Sequence, residues 1–535
     1  MNKCFVTHLA MAALLFSSPA LAQSSLQLTV DEAVRRAIAN NPDLEIAKLA
    51  AQVEAERVRE TVGAFAPVFS TVVGRSSTVA PPSNSLLGER GVNTGDWFST
   101  TGVRQRLRHG SGTWNVSWDT SRTATTSPIS SFQPSLQSGF QMAFSQPLLK
   151  DRRMDAARQQ NFVAARNQQS AELQYNEAIV QTTAAVKQAY WTLKAMLANV
   201  ALQQRSLELA NQLARQNRAR VDVGQAPPLD LAQAEAEVAQ RRENLIRATT
   251  DAGDAEDRLR GLIIDPADRS FWEVKLDPID DAAALGTAPD VDAVAAGALG
   301  KRYDLARARN DVENARTAVD FLSNQKLPDV RLETSYGGTG LGGTQFLRTG
   351  GFPGVITGTR ETGYADVLGQ VFGRNYPAWS AGVSVTYALG RSSEEAGFAR
   401  ADIERRQAVR HVARLEVQAI ETIRQAARQV RGNLERVDAA RAGITFAEQR
   451  LETEARRFEV GLSTSFLVTQ AQRDLLQAQL AVLQATLDYQ SSVVNFEALQ
   501  HAPAPAGGGI AAARGGGVAL IPPPAPRGVF RQAGF

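Results

Sequence analysis

The chain has 535 residues, with 58 Lys and Arg against 55 Asp and Glu, a net charge of +3 and one cysteine. So even a balance argues against a nucleic-acid binder, which would gather basic residues on one face. One cysteine excludes a disulfide framework, and no later run approaches the roughly 18 apolar residues of a membrane-spanning helix.

Residues 1–22 read as a secretory signal peptide: Lys3 supplies charge, Leu9 to Phe16 an apolar stretch, and Ala20-Leu21-Ala22 the cleavage pattern. Cys4 would leave with it, so the mature chain is expected to carry no thiol. An exported chain without a membrane helix is periplasmic, secreted, or an outer-membrane β-barrel protein. Thr29, with Glu32 three residues on, opens a helix reaching about Phe65. Val30, Ala37, Leu44, Ala51 and Val58 recur in it every seventh residue, and Pro42 should break or kink it.

After Pro67 the period switches from seven to two, a strand signal. Residues 68–75 and 97–107 alternate poorly. Trp114, Val116 and Trp118 alternate well over 113–119, as do Phe140, Met142 and Phe144 over 138–146. From Leu148 to about Val221 no proline or glycine intervenes, which predicts a helix about 110 Å long at 1.5 Å per residue. Its heptads read Val186, Leu193, Val200, Leu207, Ala214, Val221. The turn VDVGQAPPLD (221–230) follows, and the register resumes at Leu231, Val238, Leu245, Ala252 and Leu259. Within the 264–289 linker, FWEV (271–274) predicts a short strand outside the helices.

The pattern then repeats. Val291, Ala298, Leu305, Val312 and Val319 match the first helix at an offset of 261, and Pro328 matches Pro67. Strands are predicted at 329–336 and 379–389. The Gly-rich stretch between them, including GGTGLGG (337–343), reads as a flexible surface loop. At an offset of 237 come Ile423, Val430, Val437, Ile444, Leu451 and Phe458, the turn FEVGLSTSFL (458–467), then Val468, Leu475, Val482, Tyr489 and Phe496. The chain is therefore two repeats, 23–263 and 290–500. Each holds a helix, strands (about 67–147 and 328–390) and a long helical hairpin (148–263 and 392–500). The Pro-, Gly- and Ala-rich tail 501–535 has no acidic residue and cannot bury a core.

The strands admit two readings, a half-buried sheet in a soluble protein or a transmembrane barrel. Strands of about ten residues with aromatics on the apolar face, together with the export signal, favour the barrel. A bilayer tolerates no open sheet edge, and the smallest barrels have about eight strands. Four good strands, six at most, cannot close alone, so several protomers must share the wall. The heptads by themselves admit a plain coiled coil, and a periplasmic coiled-coil adaptor or scaffold without a barrel is the alternative function. No catalytic or metal-ligating constellation is evident: His8, His109, His411 and His501 are scattered, so no cofactor is expected and the chain does not read as an enzyme.

LTVDEAVRRAIANNPDL (28–44), RFEVGLSTSFLVTQAQRDLLQAQL (457–480) and FSQPLL (144–149) resemble the TolC-like outer-membrane efflux proteins, and the resemblance covers essentially 27–500. It implies an α+β membrane protein. A homotrimer would share a β-barrel of twelve strands, four per protomer, in outer-membrane lipid. A long antiparallel α-helical barrel would continue it across the periplasm. A strand-like pair around RHGSG (108–112) departs from that pattern and leaves eighteen strands, or a hairpin outside the wall, open. The implied partners are a periplasmic adaptor and an inner-membrane RND or ABC transporter, with drugs, metals, other small molecules or unfolded proteins as cargo. The hairpin tips, Val223, Gly224, Gln225 and Ala226 with Val460, Gly461, Leu462 and Ser463, would meet the adaptor. Asp230 matches an acidic gate position whose basic counterpart is here Ser463, and Leu467 and Gln470 stand where some relatives narrow the tunnel with aspartates. The gate would thus be less acidic. Asp230 has an equal local reading, as a charge favouring the helix start after Pro227-Pro228.

Overall fold

The computed structural model describes residues 25–81, 91–265, 267–281, 291–351, 354–390 and 392–503. The expected leader 1–22 and the tail after 503 lie outside them. The first helix is broken as Pro42 requires. α1 (Val30–Asn40) opens with Thr29 accepting the Glu32 N–H, and α2 (Pro42–Gly63) restarts on Asn41, whose side chain accepts from Asp43 and Leu44. The second repeat breaks at the matching place, Arg302, between α5 (Val291–Lys301) and α6 (Tyr303–Gln325).

The long hairpins are α3 (Ala156–Asp222) with α4 (Pro228–Ile263), and α8 (Ser393–Glu459) with α9 (Ser465–Leu499). α3 and α8 have 67 residues each, about 100 Å. α3 begins later than expected because the strand end turns through 148–155, where Asp155 caps the helix by accepting the Arg158 N–H. Every heptad position named above is buried or half-buried. Val186, Leu193 and Leu259 are sealed in the first repeat, as are Ile423, Val430 and Val437 in the second. α3 packs on α4 and also on α9, and α9 packs on α8. The lower helices thus form one arc in the order α4-α3-α9-α8. Nearer the strands, α2 and α6 occupy the positions of α4 and α9.

Midway, β1 (Ser25–Leu28) pairs in parallel with β6 (Lys275–Pro278). FWEV is not a strand: Arg269–Glu273 is a 3-10 turn, with Phe271 buried, and the strand follows it. Tyr190, fully buried, donates to the Leu28 carbonyl at 2.9 Å and lies 2.8 Å from the Asp280 carboxylate, tying this girdle to α3.

The remaining strands form one sheet: β2 (Val68–Ala80), β3 (Val92–Arg106), β4 (Thr113–Thr125), β5 (Phe132–Pro147), β7 (Asp329–Thr349), β8 (Val355–Thr362) and β9 (Pro377–Thr386). The order is β2-β3-β4-β5-β7, with β8 and β9 both beside β7. Four strands per protomer were expected, whereas among the described residues the sheet holds seven, six abreast. The poorly alternating segments 68–75 and 97–107 are pulled into strands by neighbours, and the 108–112 hairpin belongs to the sheet, its turn made by Gly110 and Ser111 in left-handed conformation.

The 337–378 stretch is not a loop. β7 runs on to Thr349, and α7 (Tyr364–Phe372) fills the gap between β8 and β9. A β-carbon at Gly340 would run into the Val367 carbonyl, so the glycines permit a close approach of helix to strand. The gap-facing backbone of β7 is satisfied without a strand: Thr339 N–H donates to the Tyr376 carbonyl (3.4 Å), while the Gln370 amide accepts from Leu341 N–H (3.0 Å) and donates to its carbonyl (3.1 Å).

Register sorts the faces. Phe69, Val103, Val116, Met142, Tyr336 and Trp379 form one row straight across the six positions. The adjacent row, on the opposite face, is Ser70, Gly102, Ser117, Gln141, Gly337 and Ala378. Across these rows one face is apolar and aromatic and the other polar or small, the division a wall between lipid and water requires.

Candidate functional site

The far ends of the two hairpins come out alike because both sequences end α3 and α8 on glycine. Gly224 (φ 73°) and Gly461 (φ 80°) are left-handed. In each, the following N–H reaches back five residues, Gln225 to the Arg220 carbonyl and Leu462 to the Arg457 carbonyl, both at 2.8 Å. A β-carbon at either glycine would meet nothing within 4 Å, so the constraint is backbone conformation and not space. Val223, Val460 and Leu462 are exposed around these turns. Gln225 is exposed as well, and Ala226 and Ser463 are half-buried. Ser463 donates to Glu454 at 2.7 Å.

Of the three residues marked as gate positions, none bridges the hairpins. Asp230 is held through its backbone: its N–H donates to the Pro227 carbonyl and its own carbonyl accepts from Asn217 at 3.3 Å. Gln470 donates to Asp474 on its own helix at 2.9 Å, and Leu467 is exposed.

The hairpins are joined instead by residues that sequence reasoning passed over. Glu237 on α4 is buried, takes Arg241 of its own helix at 2.6 Å, and is bridged by Arg473 from α9. Burial pulls the Glu237 carboxyl up. The Arg473 hydrogen bond and the charges of Arg241 and Arg473 outweigh that and hold it below its ordinary value. Nearer the tip, Arg220 donates to the Phe458 carbonyl (3.1 Å) and lies 4.1 Å over its ring, beside an apolar contact of Leu213, Phe458 and Val468. The available signal was an acid and a base at i and i+4 beside the heptad position Val238, which looks like any solvated helix pair. Asn217, Glu237, Gln240, Gln470 and Arg473 line a cavity of about 390 Å³ between the hairpins.

A long helical arc capped by a two-faced strand wall is also the architecture of known proteins. The Campylobacter jejuni CmeC outer membrane channel superposes with a TM-score of 0.63 at 14% identity, covering 93% of this chain and 94% of that one. Vibrio cholerae VceC, an outer membrane protein, gives 0.61 at 16%, covering 88% and 96%. In sequence, the outer membrane efflux protein BepC of Brucella suis is 27% identical over 300 residues, 56% of this chain and 59% of that protein, so the match spans about three fifths of the relative. Residues 33–263 and 294–500 both match the outer membrane efflux protein model, and this chain therefore belongs to that family.

Proposed function

We propose that three copies of this chain form a passive exit duct in the outer membrane. The duct conducts cargo delivered by an inner-membrane RND or ABC transporter through a periplasmic adaptor. The observation that carries this reading is the pairing of two open structures on one axis: a strand wall with lipid-type and water-type faces, and a four-helix arc. Neither closes within one chain, and both close when copies are set side by side. α8 and α4 flank the arc, and each leaves apolar side chains exposed, Ile403, Val417 and Phe446 on one and Ile246 on the other. Exposed apolar surface of this kind marks contact with another protein.

The adaptor contact falls at Val223 to Ala226 and Val460 to Ser463, whose exposed valines and leucine stand clear of the helices. The gate involves Asp230, Leu467 and Gln470 as the surface the cargo meets. The Glu237–Arg473 bridge, deeper along the same helices, holds the two hairpins together. The duct supplies no energy of its own.

The test is conduction. The purified full-length protein, reconstituted in a planar bilayer, should give stable ion-conducting steps, and it should fractionate with detergent-extracted outer membrane. Recovery as a soluble periplasmic protein, or an electrically silent insertion, would sink the duct.

A further inference from the structure

We propose that the outer edges of β2 and β9 pair with each other between three copies of this chain, closing a wall of eighteen strands. The number rests on the trimer reading above; the choice of edges rests on the sheet itself.

Among the described residues the sheet leaves two outer edges, one along β2 and the other along β9 and, beyond α7, β8. β2 leaves the helices after α2 and runs away from them, whereas β9 runs back towards α8. Copies set side by side therefore meet antiparallel, as all six positions within the chain already do. The ten residues of β9 fit within the thirteen of β2. Every residue of β9, and all of β2 but Gly74, is exposed. The two edges also agree in side: Phe69 and Val73 share the apolar face with Trp379, Val383 and Val385.

Nothing inside the sheet offers a different seam. β3 and β4 are paired without interruption from Thr94–Thr125 to Arg106–Thr113, so the β2–β3 hairpin cannot be set aside without stripping these backbone bonds and exposing the β4 edge. In hydrocarbon such groups find no water to replace them. The break in the sixth position is plugged by α7 and Gln370 as described. Eighteen strands about 4.8 Å apart and tilted about 40° make a ring about 36 Å across, against about 24 Å for twelve.

The test uses full-length protein in outer membranes, with cysteine pairs on the polar face. Ser384→Cys on β9 is combined in turn with Ser70→Cys or Val72→Cys on β2, and with Asn115→Cys or Ser117→Cys on β4. The mass of the detergent-solubilised complex is measured independently, and cryo-EM of the same complex counts the strands. The expected result is a trimer of eighteen strands, with oxidation giving a disulfide ladder for a β2–β9 pair and none for β4–β9. A trimer with β4–β9 ladders, or with twelve strands, overturns the proposal and leaves the duct standing. A complex of another number overturns the trimer reading and the eighteen strands with it.

Discussion

At the scale of single residues, the hairpin tips and the bridge above them make opposite demands. Gly461 sits in open space with φ 80°, so a side chain there is penalised by backbone strain alone. Gly461→Val should cost about 1–2 kcal/mol locally and disturb the tip without touching the wall. Under the duct reading, export in cells should fall while heat-sensitive trimer bands on a gel remain; unchanged export would count against docking at this turn. Glu237→Gln leaves Arg241 and Arg473 facing a neutral group. Breaking a fully buried pair costs about 3–5 kcal/mol, and the half-exposed Arg473 lowers this to about 2. The expected outcome is a larger single-channel conductance than wild type in a planar bilayer, because the hairpins lose their charged link. Equal conductance would show that the bridge does not hold the tunnel end.

At the scale of elements, α7 and the girdle are the parts that depend most on fit. Gly340→Ala places a methyl against the Val367 main chain, which cannot swing away as a side chain would. α7 should shift off β7, and under the trimer reading the complex should dissociate at a lower temperature on a heated gel series. Tyr190→Phe takes the shared hydroxyl from the fully buried Leu28 carbonyl and from the half-buried Asp280 carboxylate, which keeps the Val30 N–H. A loss of about 1–3 kcal/mol is expected, read as a lower unfolding temperature with conductance unchanged. Heptad spacing exposed the helices in advance because their apolar residues recur over dozens of positions. α7, only nine residues long, offered no such length, and its Gly-rich surroundings resembled a loop until the close packing of Val367 explained the glycines.

For the whole molecule, the bridge predicts a response to acid. Folding holds the Glu237 carboxyl below its ordinary value of 4.5, so the bridge stabilises fully above that value and fades as pH falls through the lower folded one. Conductance recorded from neutral to strongly acid solution should therefore rise only below about pH 4.5, and Glu237→Gln should abolish the rise. A step persisting in that variant would assign it to other groups.

The sequence by itself determined the two repeats, the paired long helices, the glycine turns and the helix break at Asn41. Each follows from local chemistry: periodicity, capping and the backbone freedom of glycine. Only the tertiary structure decided how many strands stand abreast, that 337–349 is strand and not loop, and that Glu237 and Arg473 join the hairpins. Strand pairing and ion pairing across hundreds of residues depend on register and on which helix faces meet. A weakly alternating segment such as 68–75 becomes a strand only when a neighbour supplies its hydrogen bonds, and an ordinary glutamate becomes a latch only when a distant arginine is brought beside it.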